Sequence, residues 1–380
     1  MKILVYAGNG GSGGLRGYIK GFISSCYVDK TVNVVVLCTN KYYEYIEKPL
    51  PENVKVIKSD KCSVNLKTYI SGNRLDDEII KIIDNENPDI VYYMNSIIHE
   101  GTEKYVNIVG MHNQLYIDKK QLYRQKMGKT LLTLLIQGHF VIKSLKKADA
   151  VVFDSIESMN QCKDSGHNFT KGIVAYFGVE DNERTTETVF RELKKPTELL
   201  YVSTIFPYKN QVELVRGVKE IKRRGYDIKL HLVGSGPKEY VNRLKEEINQ
   251  LDLKEDIILY SWVNHNEIKQ MIDDKDIFVY ASSIETSGFG LMEGMVRGAI
   301  IMCNNESCMP EILKEGGVLF DVHNPKSIAD TFEYIIDNSE IRKQLSNRAL
   351  QDSSAYTWDN HAQTIFKEFK TVLEKKESNE

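Results

Sequence analysis

The sequence predicts an α/β protein of two doubly wound domains facing across a cleft, and three observations lead there. The first is length: 380 residues exceed one ordinary core and suit two domains of about 150–200 residues each. The second is the alternation, from end to end, of short β-branched runs with amphipathic helical stretches, the pattern of parallel sheets covered by helices. The third is an interruption at 181–198, DNERTTETVFRELKKPTE, where charged and turn-forming residues replace the apolar runs.

Each element follows from its own residues. Residues 3–7, 32–38, 90–93 and 150–153 are continuous apolar runs rather than alternating ones, as strands buried on both faces must be. They belong to a first Rossmann-like domain, 1–180. After the linker, 181–198, a second series begins with 199–202, 229–233, 257–259, 277–280 and 299–302, giving a second Rossmann-like domain over 199–358. Residues 359–380, with a helix at about 361–375, follow once the second sheet is complete, and a return of this helix to the first domain is the expected use.

Composition removes several function classes. With 42% hydrophobic and 27% charged residues, 25 Gly and 8 Pro, the chain is neither disordered nor collagen-like nor a small disulfide scaffold. Fifty basic residues against 53 acidic ones give a net charge of −3, which argues against nucleic acid as a partner. The six cysteines form no CxxC pair and no metal-ligand spacing, so they read as buried thiols of a reducing compartment. The opening MKILVYAGNGG reads as a first strand rather than a leader, and no window holds 18 consecutive apolar residues. A cytoplasmic protein is expected.

Charge is nonetheless uneven. Residues 1–180 hold 23 Lys and Arg against 19 Asp and Glu, whereas the remainder holds 27 against 34. Within 119–147 stand eight Lys and Arg and no acidic residue, interleaved with Leu131, Leu132, Leu134, Leu135, Ile136 and Phe140. Such a segment suits the anionic inner face of a membrane; a core helix with a solvated basic face has the same pattern.

Two segments carry candidate chemistry. Gly8-Asn9-Gly10-Gly11-Ser12-Gly13-Gly14 directly follows the first strand and matches the GxGxxG form of a phosphate-cradling turn. A dinucleotide site also needs an acidic residue after the second strand, where this chain has Thr39-Asn40-Lys41, so a nicotinamide-dependent oxidoreductase is the weaker reading. The second segment is DIFVYASSIETSGFGLMEGMVRGAIIM, 276–302. A buried strand opens into a small-residue loop with Glu285, and Thr286-Ser287-Gly288-Phe289-Gly290 leads into a helix carrying Glu293. Amides at Gly288, Phe289, Gly290 and Leu291 are the expected anion donors, with no metal. Asp274-x-Asp276 lies at the start of a buried strand and is rejected as a metal motif.

The string Glu285-x7-Glu293 with Ser287-Gly288-Phe289-Gly290 between resembles the signature of the retaining glycosyltransferases of family 4, which have the GT-B fold. Further segments fall in the family's order: the Gly13-Gly14 loop, the His112 segment, ADAVVFDS at 148–155, IVAYFGV at 173–179, Lys209-Asn210, LVGSGP at 232–237, Ser261-Trp262-Val263 and a final YTW at 356–358. The resemblance implies transfer of a hexose, with retention, from a UDP- or GDP-linked sugar to a glycan acceptor such as an O-antigen, capsule or lipid-linked precursor. No separate cofactor and no metal are implied. The first domain would then serve the acceptor and the second the nucleotide sugar.

Residue by residue, the resemblance makes Lys209 the ligand of the donor diphosphate, together with amides around Gly288–Leu291 and Gly13–Gly14. Glu293 would hold the ribose, Glu285 the transferred sugar, and His112 would lie near its reactive face. Backbone at Trp262-Val263, beyond Gly236, would frame the base. Thr204 stands where the family usually has an arginine, and Arg16 or Lys20 is the expected substitute; Arg16 is also a candidate for an acidic or phosphorylated acceptor. A non-catalytic sugar-nucleotide-binding subunit on the same scaffold is the remaining alternative.

Overall fold

The computed structural model describes residues 1–8, 14–46, 48–63, 68–69, 73–124, 129–185 and 192–378, with only the backbone at 14–16, 119–120, 124 and 129–130. The chain forms two compact units, one of Met1–Gly178 with Tyr356–Glu380, the other of Val179–Ala355. Segment 181–198 therefore lies within the second unit rather than between the two. Glu183 is buried there, and a strand opens at Thr197.

Among the described residues the first unit holds seven parallel strands: β1 (Lys2–Ala7), β2 (Asn33–Cys38), β3 (Val54–Lys58), β4 (Ile90–Tyr93), β5 (Val106–Met111), β6 (Ala150–Phe153) and β7 (Gly172–Val174). Their order is β3-β2-β1-β4-β5-β6-β7, so the winding reverses between β1 and β4. Every residue of β4, β5 and β6 is buried, which is why their sequences lack polar alternation. The helix Ile156–Asp164 starts where Ser155 and Ser158 form a reciprocal capping box.

The helix Trp358–Glu377 packs in this same unit, against the helix Gly14–Ser24. Small residues make the contact. A Cβ on Gly21 would stand 2.0 Å from the Trp358 indole, and one on Gly178 2.1 Å from the Trp358 backbone nitrogen. Phe366 and Phe369 are buried, and Lys370 pairs with Asp29 at 2.6 Å.

Among the described residues the second unit holds six parallel strands: β8 (Thr197–Val202), β9 (Ile228–Val233), β10 (Ile257–Tyr260), β11 (Ile277–Tyr280), β12 (Ile301–Asn304) and β13 (Val318–Phe320). The order β10-β9-β8-β11-β12-β13 reverses between β8 and β11, with Ile277 beside Leu199 and Phe278 beside Leu200. Two doubly wound α/β domains are thus present, as the apolar alternation predicts. The strand expected at 299–302 is displaced to Ile301–Asn304, because Gly298 turns the chain at φ 62° and Ala299 is bonded back to Gly294. Asp276 accepts from the backbone N–H of Glu198 and of Lys194 (2.7 and 3.2 Å), so it ties β11 to the start of β8.

Candidate active site

In doubly wound sheets, ligands bind beyond the carboxyl ends of the strands where the order reverses. In the second unit those ends are Val202 of β8 and Tyr280 of β11, and the loops that follow them carry the candidate residues.

After β8 comes a turn, Pro207–Lys209, whose last residue presents its ammonium to the Glu285 carboxylate. Both side chains are mostly buried, 11% and 16% exposed. Burial opposes the charge on Lys209, but the Glu285 carboxylate outweighs it and holds the ammonium above its ordinary range. The Tyr208 ring lies 5.2 Å from the Lys209 Nζ and adds a cation–π contact. Asn210, in left-handed conformation at φ 57°, ties this turn to the other loop. Its side-chain amide donates to the Ala281 carbonyl (2.7 Å) and the Ser283 hydroxyl (2.6 Å).

Glu285 is fixed at both ends. Its backbone N–H donates to Ser307 Oγ at 3.1 Å, and the Ser307 hydroxyl donates to the Glu285 carbonyl at 2.7 Å. At the carboxylate, Tyr280 donates its hydroxyl to Oε1 at 2.8 Å, the same oxygen that Lys209 holds. Three residues on, Gly288 caps the helix Phe289–Val296 in left-handed conformation at φ 62°, which glycine adopts without penalty. The first-turn amides of Phe289 and Gly290 precede any acceptor within the helix. Leu291 departs from expectation: it is buried and its N–H donates to the Gly288 carbonyl at 2.9 Å, so that amide closes the turn and is not an anion donor.

Glu293 lies farther along the same helix, and its charged neighbours are Glu183 and Lys269 rather than Lys209. Burial first, and then Glu183, push its carboxyl up to about 7, against the pull of Lys269. Glu183 itself pairs with Lys269 at 2.5 Å and His265 at 3.1 Å.

Glycines of the β9 loop serve close backbone packing. A Cβ on Gly234 or Gly236 would come within 1.9 Å of the carbonyl of Ser203 or Ile205, so the loop after β9 lies directly on the loop after β8. Trp262 and Val263 sit between β10 and the helix His265–Asp274, with the Trp262 side chain 78% exposed. Thr204 is exposed and its carbonyl accepts from Gln211 at 3.0 Å.

His112 belongs to the first unit, just past β5. Its Nδ1–H donates to the carboxylate of fully buried Asp154 at 2.8 Å, and its ring lies 4.8 Å from Tyr18 and 5.5 Å from Phe177. Gly110 makes room for it, since a Cβ there would meet His112 Nε2 at 2.3 Å. Gly13 lies outside the described residues, and Gly14 opens the helix Gly14–Ser24. The Arg16 side chain is also outside the description. Gly8 has a packing role: a Cβ there would lie 2.2 Å from the Cys62 carbonyl. All six cysteines are free and buried.

Four residues to which no role was assigned from the motifs thus complete the two clusters: Tyr208, Tyr280, Ser307 and Asp154, the last within the ADAVVFDS segment. Only Asp154 carried a sequence signal, as the polar residue ending the apolar run of β6.

The architecture and the residues at the reversal of the second sheet define a protein with the two-domain fold of GT-B glycosyltransferases. Anabaena HepE, solved in complex with UDP and with UDP-glucose, superposes with a TM-score of 0.69 at 16% identity, covering 98% of this chain and all of the other. Within the chain, residues 183–352 match the family described as Glycosyl transferases group 1. An uncharacterized glycosyltransferase of Methanocaldococcus jannaschii is 26% identical over 210 residues, 54% of this chain and 49% of its own length. A putative colanic acid biosynthesis glycosyltransferase of Salmonella typhimurium is 28% identical over 202 residues, 47% of this chain and 49% of its own. The matched segments span about half the length of these curated relatives.

Proposed function

We propose that this chain is a retaining, metal-independent hexosyltransferase of the family 4 type, moving a hexose from a UDP- or GDP-linked donor to a cell-surface glycan acceptor. The observation that carries the reading is the placement of Lys209 and Glu285 together at the sheet reversal, three residues before the glycine-capped turn. Names among the relatives and structural neighbours support the reading: one neighbour is solved with UDP-glucose, and one relative is named for colanic acid biosynthesis.

The chemistry requires little else. Breaking the anomeric C–O bond sends its electron pair to the departing diphosphate. The ammonium of Lys209 and the amides of Gly288, Phe289 and Gly290 receive that charge in place of a metal ion. The acceptor oxygen bonds to the anomeric carbon on the same face, and its proton passes to the leaving diphosphate. Glu285 orients the sugar, Glu293 takes the ribose hydroxyls, and His112, turned by Asp154, serves the reactive face. Gly13–Gly14 supplement the diphosphate amides, Trp262-Val263 with Gly236 border the base, and Arg16 meets an acidic acceptor.

The enzyme so described is cytoplasmic, with its basic first-unit helix Lys129–Lys147 resting on an anionic membrane surface. Leu132 is 65% exposed on that helix. Beside it a groove of about 540 Å³ is lined by Leu122, Leu134, Leu135 and Ile142, with Lys143 and Lys146 also on its wall.

The reading is tested by a thermal-shift screen against UDP, GDP, ADP, dTDP, NAD and NADP, with and without EDTA. Ligand at a hundred times its Kd adds about 2.7 kcal/mol. A rise with one nucleoside diphosphate, indifferent to EDTA and lost in Lys209→Ala and Glu293→Ala, is expected. A rise with NAD or NADP alone would replace the transferase by an oxidoreductase. Donor binding with no turnover on any glycan would make the chain a binding subunit.

A further inference from the structure

Lys209 is given two tasks by this site. In the structure its ammonium neutralises Glu285. In the proposed reaction it must turn to the diphosphate, and the Glu285 carboxylate then loses its only cation among the described residues. A carboxylate that is 16% exposed and suddenly without its cation would swing toward water.

The structure contains a second donor for this event. Tyr280 ends β11 with its side chain 3% exposed, and its hydroxyl bonds to the same Oε1 that Lys209 holds. The ring cannot leave easily: it packs against Tyr201 at 6.0 Å between centroids, and its Cε2 lies 3.1 Å from where a Cβ on Gly290 would stand. The ring that holds the carboxylate therefore also supports the glycine turn. Burial and the neighbouring carboxylate keep the phenol protonated, so it remains a donor across the working pH range. Ser307 locks the Glu285 backbone, and among the described residues both side-chain bonds to the carboxylate, from Lys209 and Tyr280, go to Oε1.

We propose that Tyr280 is a positioning residue: it retains Glu285 with Oε2 available to a sugar hydroxyl when Lys209 is drawn to the diphosphate. The assignment rests on the transferase reading, and it predicts that the hydroxyl matters for the sugar and not for the nucleotide.

The experiment compares binding of UDP with UDP-glucose, and of GDP with GDP-mannose, by calorimetric titration of the unaltered protein, Tyr280→Phe, Glu285→Ala and the double variant. In Tyr280→Phe the nucleoside diphosphate keeps its Kd within about twofold. The nucleotide sugar weakens about tenfold, the ~1.4 kcal/mol of one hydrogen bond to a charged group. In the Glu285→Ala background the same substitution has no further effect on the nucleotide sugar. Equal weakening of diphosphate and nucleotide sugar, or an undiminished effect without Glu285, means that the ring only packs and overturns the proposal. An unchanged nucleotide-sugar Kd in Tyr280→Phe overturns it while leaving the transferase reading intact. Failure of the unaltered protein to bind either pair overturns both. If the phenylalanine variant melts several degrees low, Tyr280→Met, which also lacks the hydroxyl, takes its place in the cycle.

Discussion

Glu293 is half-buried beside Glu183 and Lys269, and its carboxyl is pushed up from 4.5 to about 7 by burial and then by Glu183. Between those pH values the unfolded chain has lost the proton that the folded one keeps, so Glu293 lowers stability as pH rises from about 4.5 to about 7. If Glu293 holds the ribose as proposed, nucleotide binding has the opposite sign, because a ribose hydroxyl donates best to the ionised carboxylate. The Kd for the bound nucleoside diphosphate should tighten severalfold between pH 6 and 8. Titration calorimetry across that range checks it, with Glu293→Gln removing this component and leaving the ligand's own ionisation. His265, which pairs with Glu183 at 3.1 Å, is controlled for by His265→Asn. Glu293 was read from the sequence because it interrupts the apolar run GLMEGMV, Glu285 because it stands in a small-residue loop after a buried strand, and Lys209 through the family resemblance alone. Tyr280 was invisible because IFVY reads as four apolar strand residues, and only the fold aims its hydroxyl at Glu285. Ser307 was invisible because 22 residues of chain separate it from its partner.

Whole elements were legible where a fully buried strand is also an unbroken apolar run. β4, β6 and β11 have the bounds their apolar runs predict, since a strand covered on both faces has no reason to carry polar residues. The elements that escaped have other reasons. β3 carries Lys55 and Lys58 at a sheet edge, β5 is broken in sequence by Asn107 and Gly110, and β7 and β13 are three residues long. On the helix Lys129–Lys147 the side chains divide between the core and the outside. Leu134, Val141 and Leu145 are buried in the unit, whereas Leu132, Lys143 and Lys146 face outward. Gly138 permits the close packing, as a Cβ there would be 2.5 Å from the Tyr116 carbonyl. A basic outward face near a membrane gains about 1 kcal/mol per lysine from anionic lipid. The protein should co-sediment with vesicles containing phosphatidylglycerol and not with pure phosphatidylcholine, and Lys143→Glu with Lys146→Glu should weaken this at least tenfold. Equal sedimentation with both vesicle types, or none, removes the membrane contact.

At the scale of the molecule, the chain leaves its first unit at Gly178, builds the second, and returns at Tyr356 to complete the first. The first core is therefore unfinished until the last helix is in place. His361 shows how deeply that helix is built in: its Nε2 accepts from the Tyr18 hydroxyl at 3.1 Å and its Nδ1–H donates to the Tyr176 carbonyl at 2.9 Å. Burial depresses it to about 4, so stability is lost as pH falls from about 6.5 toward 4, where the unfolded chain alone binds the proton. Phe369, with no exposed surface, offers the cleaner perturbation. Replacing a fully buried phenylalanine by alanine costs about 3–5 kcal/mol, equivalent to roughly 10 °C in a unit of this size. The two tryptophans divide between the units, Trp358 buried in the first and Trp262 exposed in the second. In a Trp262→Phe background, fluorescence reports the first unit alone, while calorimetry sees both. Phe369→Ala should lower the Trp358 midpoint by that amount and leave a second calorimetric transition where it was. A single transition that moves as a whole would mean that the two sheets, with separate cores, nevertheless melt as one.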